Sequence, residues 1–462
     1  MTSTFLKPFD AAWFYVEKAE TPANVGPLLI LTPPADAPDN FISGFVEQWR
    51  QHKTFAPPFN YRLKRNPIPA WEVLPDDEID LDYHLRHLAL PAPGGERELG
   101  IMISRLHSHP LEMKRPLWEC HVIEGLEGGR FAIYMKFHHG QLDGVATARL
   151  FEGFLTPDSS ARGMLPPWAV GVYGNGDREV KQQNTTPREG AGFRKSISGF
   201  AGATKALIQM TAKLRSGSEA ELTGPFQAPN TIFNGRISAQ RRFATQQYDL
   251  ARFKRVAKAA NVTVNDVFLS ITGGAMRRYL SEFDALPERS VTGQVPVNVR
   301  PSGQAGVGNQ IAFVYARLRT DIEDPIDRLA AVHSSVAAGK ALHESLPAES
   351  VAPFTMLLSG PYIAQTILGL GGRVSPAANL VISNVAGPSV PLYFNGAGIE
   401  EMYGPSVLFH GQALNITMFS YAGRANISYT GCRDSIPSMQ KLAVYTGEAL
   451  DELEAAVGVR NL

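Results

Sequence analysis

A chain of 462 residues is too long to be organised around one hydrophobic core. Single cores stop growing at roughly 250–300 residues, so two domains are the expected outcome. The sequence marks where they part. From about 158 to 234 it turns rich in Gly, Pro, Ser, Asn and charge, and Pro166-Pro167, Asn175-Gly176 and Pro187-Arg188-Glu189-Gly190 break regular structure. We expect a first half over 1–175, a connector over 176–235 and a second half over 236–462.

Each half mixes helix and strand signals. In the first, Phe41, Ile42, Phe45, Val46 and Trp49 recur at helical spacing. Phe131, Ile133, Met135 and Phe137 instead alternate, as on one face of a strand. Residues 117–123 supply its partner, with Gly125, Gly128 and Gly129 for the turn. In the second half helices are expected over 252–260 and 263–280. Strands are expected at 295–299, 310–318, 379–383, 413–419 and 425–429. The class this implies is α+β, of the α/β sandwich type, with mixed sheets flanked by helices.

Two segments have an unusual composition. Residues 193–214 read as an amphipathic helix with Arg194, Lys195, Lys205 and Lys213 and no acid. Such a helix suits an interdomain connector that also touches an anionic membrane surface, or one that is simply packed. Gly and Thr dilute its apolar face, which favours packing. Residues 350–373 carry one charge, Arg373, and would be long enough to cross a bilayer. Gly360, Pro361 and Gln365 interrupt them, and no Lys or Arg anchors their start, so a buried helix or tunnel wall is expected.

Charge and cysteine content exclude several classes. Lys plus Arg equals Asp plus Glu at 44 each, which gives no polyanion-binding character and no nucleic-acid partner. Cys120 and Cys432 cannot form a disulfide framework, and the N-terminus lacks a basic region followed by a long apolar run. A cytoplasmic location is expected. His84 and His87, or His107 and His109, make no metal-binding pattern, and no metal is expected. Gly-x-Ser-x-Gly, Walker and dinucleotide fingerprints are absent.

The chemistry concentrates where the alternating strand ends, at His138-His139-Gly140-Gln141-Leu142-Asp143-Gly144. A neutral imidazole at a strand end, before a glycine turn and a helix, can remove a proton from a hydroxyl as that oxygen attacks an acyl carbon. A structural reading of the same residues is a pair of strand-end histidines with a helix-capping Asp143.

The heptapeptide does not stand alone. With Pro8-Phe9-Asp10-Ala11-Ala12-Trp13, Thr21 to Gly26, Arg115-Pro116-Leu117-Trp118-Glu119, Asn265-Asp266, Val297 to Arg300, Gly308 to Gln310, Ser383 to Pro388 and Leu414-Asn415-Ile416, the chain resembles the bacterial wax ester synthase/diacylglycerol acyltransferases along nearly its whole length. More distantly it is similar to the chloramphenicol-acetyltransferase-like superfamily, peptide-synthetase condensation domains included. The resemblance implies two similar halves with a tunnel at their junction. Acyl-coenzyme A would enter one side as a substrate rather than a cofactor, and a long-chain alcohol or diacylglycerol the other. It implies His139 as general base, His138 in support and Asp143 as organiser of the loop. We expect Arg300 as the ion-pair partner of Asp143. The protein would work at a membrane or lipid-droplet surface.

Other positions keep two readings. Asn265 could stabilise an oxyanion or orient substrate, or cap a helix. Trp118 could wall the pocket or fill the core. Gly144, Asn384 and Gly387 could approach substrate, and the last two could equally make a turn. Two rival functions are a condensation-type enzyme fed by a carrier protein, decided by comparing acyl donors, and a non-catalytic lipid-binding or droplet protein, for which the loss of His139 would change nothing.

Overall fold

The computed structural model describes residues 3–6, 8–65, 69–142, 144–172, 191–216, 221–298 and 311–459. Two large sheets organise them. The first runs Tyr393–Phe394, Ala397–Tyr403, Leu28–Thr32, Phe131–His138, Trp118–Glu124, Leu85–Ala89, and Asn24–Val25 pairs with the end of Phe131–His138. The second runs Ile311–Arg317, Thr292–Asn298, Leu380–Ala386, Leu414–Tyr421, Arg424–Cys432, Arg241–Asp249. Ser3–Phe5, Ala70–Val73 and Tyr61–Lys64 form a small third sheet.

Phe131–His138 is buried along its whole length. One face carries Phe131, Ile133, Met135 and Phe137 into a core with Trp49, Trp118 and Trp168. The other carries Ala132 and Tyr134 against Leu99 and Ile103 of the helix Glu96–Ser108 and against Phe243. A strand clamped on both faces is a rigid support for whatever its end presents.

The halves are stitched together. The C-terminal hairpin reaches across, so that Gly398 lies opposite Thr32 and Tyr403 opposite Leu28 in the first sheet. The half expected over 236–462 therefore lends strands to its neighbour. Composition marks a connector but carries no record of long-range strand pairing.

In the second half, the helices Val264–Glu282, Pro325–Glu344 and Lys441–Ala456 pack on one face of their sheet, through Leu380, Ile382, Ile416 and Ile427 among others. Val264–Glu282 begins with a capping box. The Thr263 hydroxyl accepts from the Asp266 N–H at 3.2 Å, and the Asp266 carboxylate accepts from the Thr263 N–H at 3.0 Å. The cap offered for Asn265 thus belongs to Thr263.

The connector helix Ala191–Ser216 packs against the helix Ala348–Ile367, with Ala203, Ala206 and Met210 meeting Phe354 and Leu358. Close approach requires a glycine at Gly202, where a Cβ would sit 2.3 Å from the Ser350 Oγ. The second helix is not the buried element expected from 350–373, because Met356 and Ile367 on it and Leu368 just beyond face solvent. Apolar composition alone does not say which face of a helix is covered. Among the described residues no helix is long and apolar enough to cross a membrane.

Candidate active site

The two histidines point to different surroundings. His138, the last residue of its strand, is fully buried. Its ring stacks on Phe14 with centroids 4.1 Å apart, and its Nδ1 accepts from the Gly140 N–H at 3.0 Å. That bond leaves the ring proton on Nε2, which lies 3.4 Å from the Glu17 carboxylate. The other oxygen of Glu17 accepts from the Ala23 N–H at 3.1 Å, and the Ala23 carbonyl accepts from the His139 N–H at 2.8 Å. Gly140 follows because no side chain fits: a Cβ would lie 2.7 Å from the Phe14 ring and 2.9 Å from the Asp10 carbonyl.

His139 is half-buried and stacks on Trp13, with centroids 3.9 Å apart and planes within 15°. Trp13 continues onto Phe409 at 5.8 Å. Such contacts hold a ring in one orientation at roughly 0.5–1.5 kcal/mol each. Trp13, Phe14 and Glu17 sit on or just after the helix Pro8–Val16, so one short helix end braces both histidines. In the sequence Trp13 stands in a motif that assigns it no role, and Glu17 stands in no motif. A carboxylate seven residues before a buried strand pair carries no local signal.

His139 lines a cavity of about 650 Å³. The first half contributes Val25, Leu142 and Phe151, and the second Val385, Met402 and Phe419. Most of the wall is aliphatic or aromatic, with hydroxyls of Thr147, Ser383, Ser406 and Thr417 spaced around it. Size and lining match sites for lipid-like ligands with a few polar contacts.

The remaining expected site residues scatter. Gly144 opens the helix Gly144–Phe154. Gly387 lines the cavity; its N–H donates to the Ser420 carbonyl at 2.8 Å, and a Cβ there would sit 2.7 Å from the same oxygen. Asn384 does not line it. Ser383 and Val385 face the cavity, so alternation sends Asn384 to the helical side, where its amide donates to the Asn265 side-chain oxygen at 3.2 Å. Asn265 is likewise not among the residues lining this cavity, and its side-chain oxygen joins its helix to the strand through Asn384. Trp118 takes the core reading. Its indole is 1% exposed, donates to the Phe59 carbonyl at 2.8 Å and stacks on His84, all inside the first core. Asp143, Arg300 and the block 308–310 lie outside the described residues.

One more histidine ties the site to its frame. His107 is fully buried, with Nε2 3.0 Å from the carbonyl of Ser406 on the cavity wall and Nδ1 2.8 Å from the Tyr134 hydroxyl. Nε2 donates to the carbonyl, which can only accept, and burial keeps the ring neutral, so Nδ1 is left to accept from the hydroxyl. Burial pushes His107 down to about 3 and His84 down to about 4. Unfolded, both take up a proton below about 6.5. Stability is thus complete above that pH and is lost as pH falls toward 4, by about 1.4 kcal/mol per pH unit for each ring. Urea unfolding at pH 7, 6 and 5 should show that loss, and His107→Gln should remove one ring's share of the slope. A slope unaltered by the substitution rules out the neutral, buried ring.

The family pattern described as the wax ester synthase/diacylglycerol acyltransferase catalytic domain matches residues 6–268, and that of the WS/DGAT C-terminal domain matches 307–454. The chain belongs to this family. It is 41% identical to a Mycobacterium tuberculosis protein that bears a diacylglycerol O-acyltransferase name, across all of this chain and 99% of that one. It is 39% identical to the O-acyltransferase WSD of Acinetobacter baylyi, across 98% and 97% of the two chains. The solved wax ester synthase/diacylglycerol acyltransferase of Marinobacter aquaeolei superposes with a TM-score of 0.80 at 33% identity, over 98% of this chain and all of that one. A condensation domain of the calcium-dependent antibiotic synthetase shares the fold, with a TM-score of 0.59 at 15% identity over 100% and 98% of the two chains. The protein is an O-acyltransferase of the wax ester synthase/diacylglycerol acyltransferase class.

Proposed function

We propose that this acyltransferase moves a long-chain acyl group from acyl-coenzyme A directly to the hydroxyl of a fatty alcohol or diacylglycerol, with His139 as general base. The observation that carries the reading is His139 on the wall of a largely apolar cavity between the two halves. Nδ1 of the ring is buried, which leaves Nε2 to meet the substrate. Nε2 takes the hydroxyl proton as the oxygen attacks the thioester carbon. The carbon–oxygen bond forms, the carbon–sulfur bond breaks, and the imidazolium returns its proton to the departing thiolate. His138, held by Phe14, Gly140 and Glu17, keeps the turn in place. The lipid substrates put the working enzyme at a membrane or lipid-droplet surface, peripherally bound on the cytoplasmic side.

Purified protein given palmitoyl-coenzyme A with hexadecanol or diacylglycerol should release thiol and form the matching ester. No ester from either acceptor, with acyl transferred from a carrier protein instead, would refute the donor assignment. The cavity gives a sharper test. Ala148 lines it from the exposed side of its helix, so Ala148→Trp should narrow the cavity without disturbing the core. A buried methylene is worth about 0.8 kcal/mol, and losing room for two lowers kcat/KM roughly tenfold. Hexadecanol should suffer that loss relative to hexanol. Equal loss for both alcohols means the chain does not run past Ala148.

A further inference from the structure

Exposed large apolar side chains are not spread evenly over the molecule. Among the described residues, half belong to the neighbouring helices Pro8–Val16, Ala191–Ser216 and Ala348–Ile367 and the turn after the last of them. Phe200 and Ile208 lie on Ala191–Ser216, Met356 and Ile367 on Ala348–Ile367, and Leu368 and Leu370 directly beyond it. Leu368 is 70% exposed and Ile208 64%. Monomeric soluble surfaces seldom gather such residues without a partner.

The charges around them are mostly positive. Ala191–Ser216 holds five Lys or Arg and no acid. No charge of either sign occurs from 351 to 372, and Arg373 follows. At the turn Arg236 reaches the Gly369 carbonyl at 3.5 Å, and the Lys18 amine lies close to Gly369. Lys18, Lys205, Arg236 and Arg373 form no ion pair with a carboxylate among the described residues. Glu20 and Glu349 are acids at the border.

We propose that this face docks the enzyme on an anionic phospholipid surface, its apolar side chains entering the headgroup boundary and its Lys and Arg contacting lipid phosphates. Apolar residues ringed by cations are the composition that binds such an interface. A second copy of the chain would set positive face against positive face, which is unfavourable. The placement also serves the chemistry. The helix Pro8–Val16 exposes Tyr15 while Trp13 stacks on His139, and Phe409 joins Trp13 to Tyr362 of Ala348–Ile367. The docking face and the general base therefore share their supporting elements. The proposal rests on the reading that the enzyme works at a lipid surface and adds which face meets it and what charge that surface carries.

Co-sedimentation with vesicles tests it, using pure phosphatidylcholine and equal parts phosphatidylcholine and phosphatidylglycerol. The protein should bind the anionic vesicles, release from them as salt rises, and bind the neutral ones at least tenfold less. Two double variants, Ile367→Ser with Leu368→Ser and Lys205→Glu with Arg373→Glu, should each weaken anionic binding about tenfold. Both should keep the melting temperature and the rate on short, detergent-dispersed substrates. Binding unchanged in both, equal binding to neutral and anionic vesicles, or a change in self-association without a change in vesicle binding overturns the proposal. His139→Ala should still bind vesicles. Vesicle binding as described without any ester formation would defeat the transfer mechanism and leave the docking face standing.

Discussion

Replacing His139 with Ala should lower ester formation by two to four orders of magnitude while leaving the fold intact. The magnitude is that of losing a positioned general base. The fold survives because the ring is half-buried at a cavity edge, and its loss removes a stack on Trp13 worth about 1 kcal/mol. The KM for acyl-coenzyme A should change little, since the proton is transferred only as the bond to oxygen forms. His138→Ala should behave in the opposite way. That ring is wholly buried against Phe14 and accepts the Gly140 N–H, so its removal leaves a cavity and an orphaned donor, costing about 3–5 kcal/mol of stability. Initial rates and urea midpoints measured on both variants separate the roles. A His139→Ala enzyme at full rate would end the general-base assignment. A well-folded His138→Ala enzyme with no activity, beside an active His139→Ala enzyme, would move that assignment to His138.

What the sequence disclosed follows a physical rule. Local periodicity was legible. The alternation of Phe131, Ile133, Met135 and Phe137 does place those four side chains in one core, and the glycines before them do turn with positive φ at Gly125, Gly128 and Gly129. The catalytic candidate His139 was picked out because it directly follows that strand inside a complete heptapeptide that the family resemblance carries. The cavity was not, since its wall is assembled from segments hundreds of residues apart, Val25 and Phe151 meeting Val385 and Phe419. Composition misled at 350–373, where a run with the single charge of Arg373, expected as a buried helix or tunnel wall, is exposed along one side. Trp118 and Asn265 share a lesson. A motif position says that a residue matters, but only packing says whether it touches substrate, and here one fills a core and the other meets Asn384.

The opposite face of the same strand hides the second large effect. Simple alternation would send Lys136 to solvent, yet it is 1% exposed. Its amine lies 2.9 Å from the Glu119 carboxylate and donates to the carbonyls of Leu106 and His109 at 3.1 and 3.3 Å. His121 contacts the same carboxylate at 3.1 Å. Burial would push Glu119 up, but the His121 hydrogen bond and the Lys136 charge outweigh it and hold it down at about 2, so it stays ionised. Lys136→Met should therefore cost about 3–5 kcal/mol, because a buried carboxylate loses its counter-charge and two carbonyls lose a donor. Glu119→Met added to Lys136→Met should recover much of that loss, since exchanging a buried ion pair for packed apolar groups is often close to neutral. The triad also bears on the site. Asn24 donates to the His107 and His109 carbonyls at 3.0 and 2.7 Å and stands opposite His138 in the sheet, so Lys136 and Asn24 hold one helix end against the histidine strand. The single variant should lose activity at temperatures where it is still mostly folded, and the double variant should regain it. Unfolding free energies of the two, measured in urea, that differ by less than about 1 kcal/mol would show that the buried charges are not coupled, and that the strand end is held by packing alone.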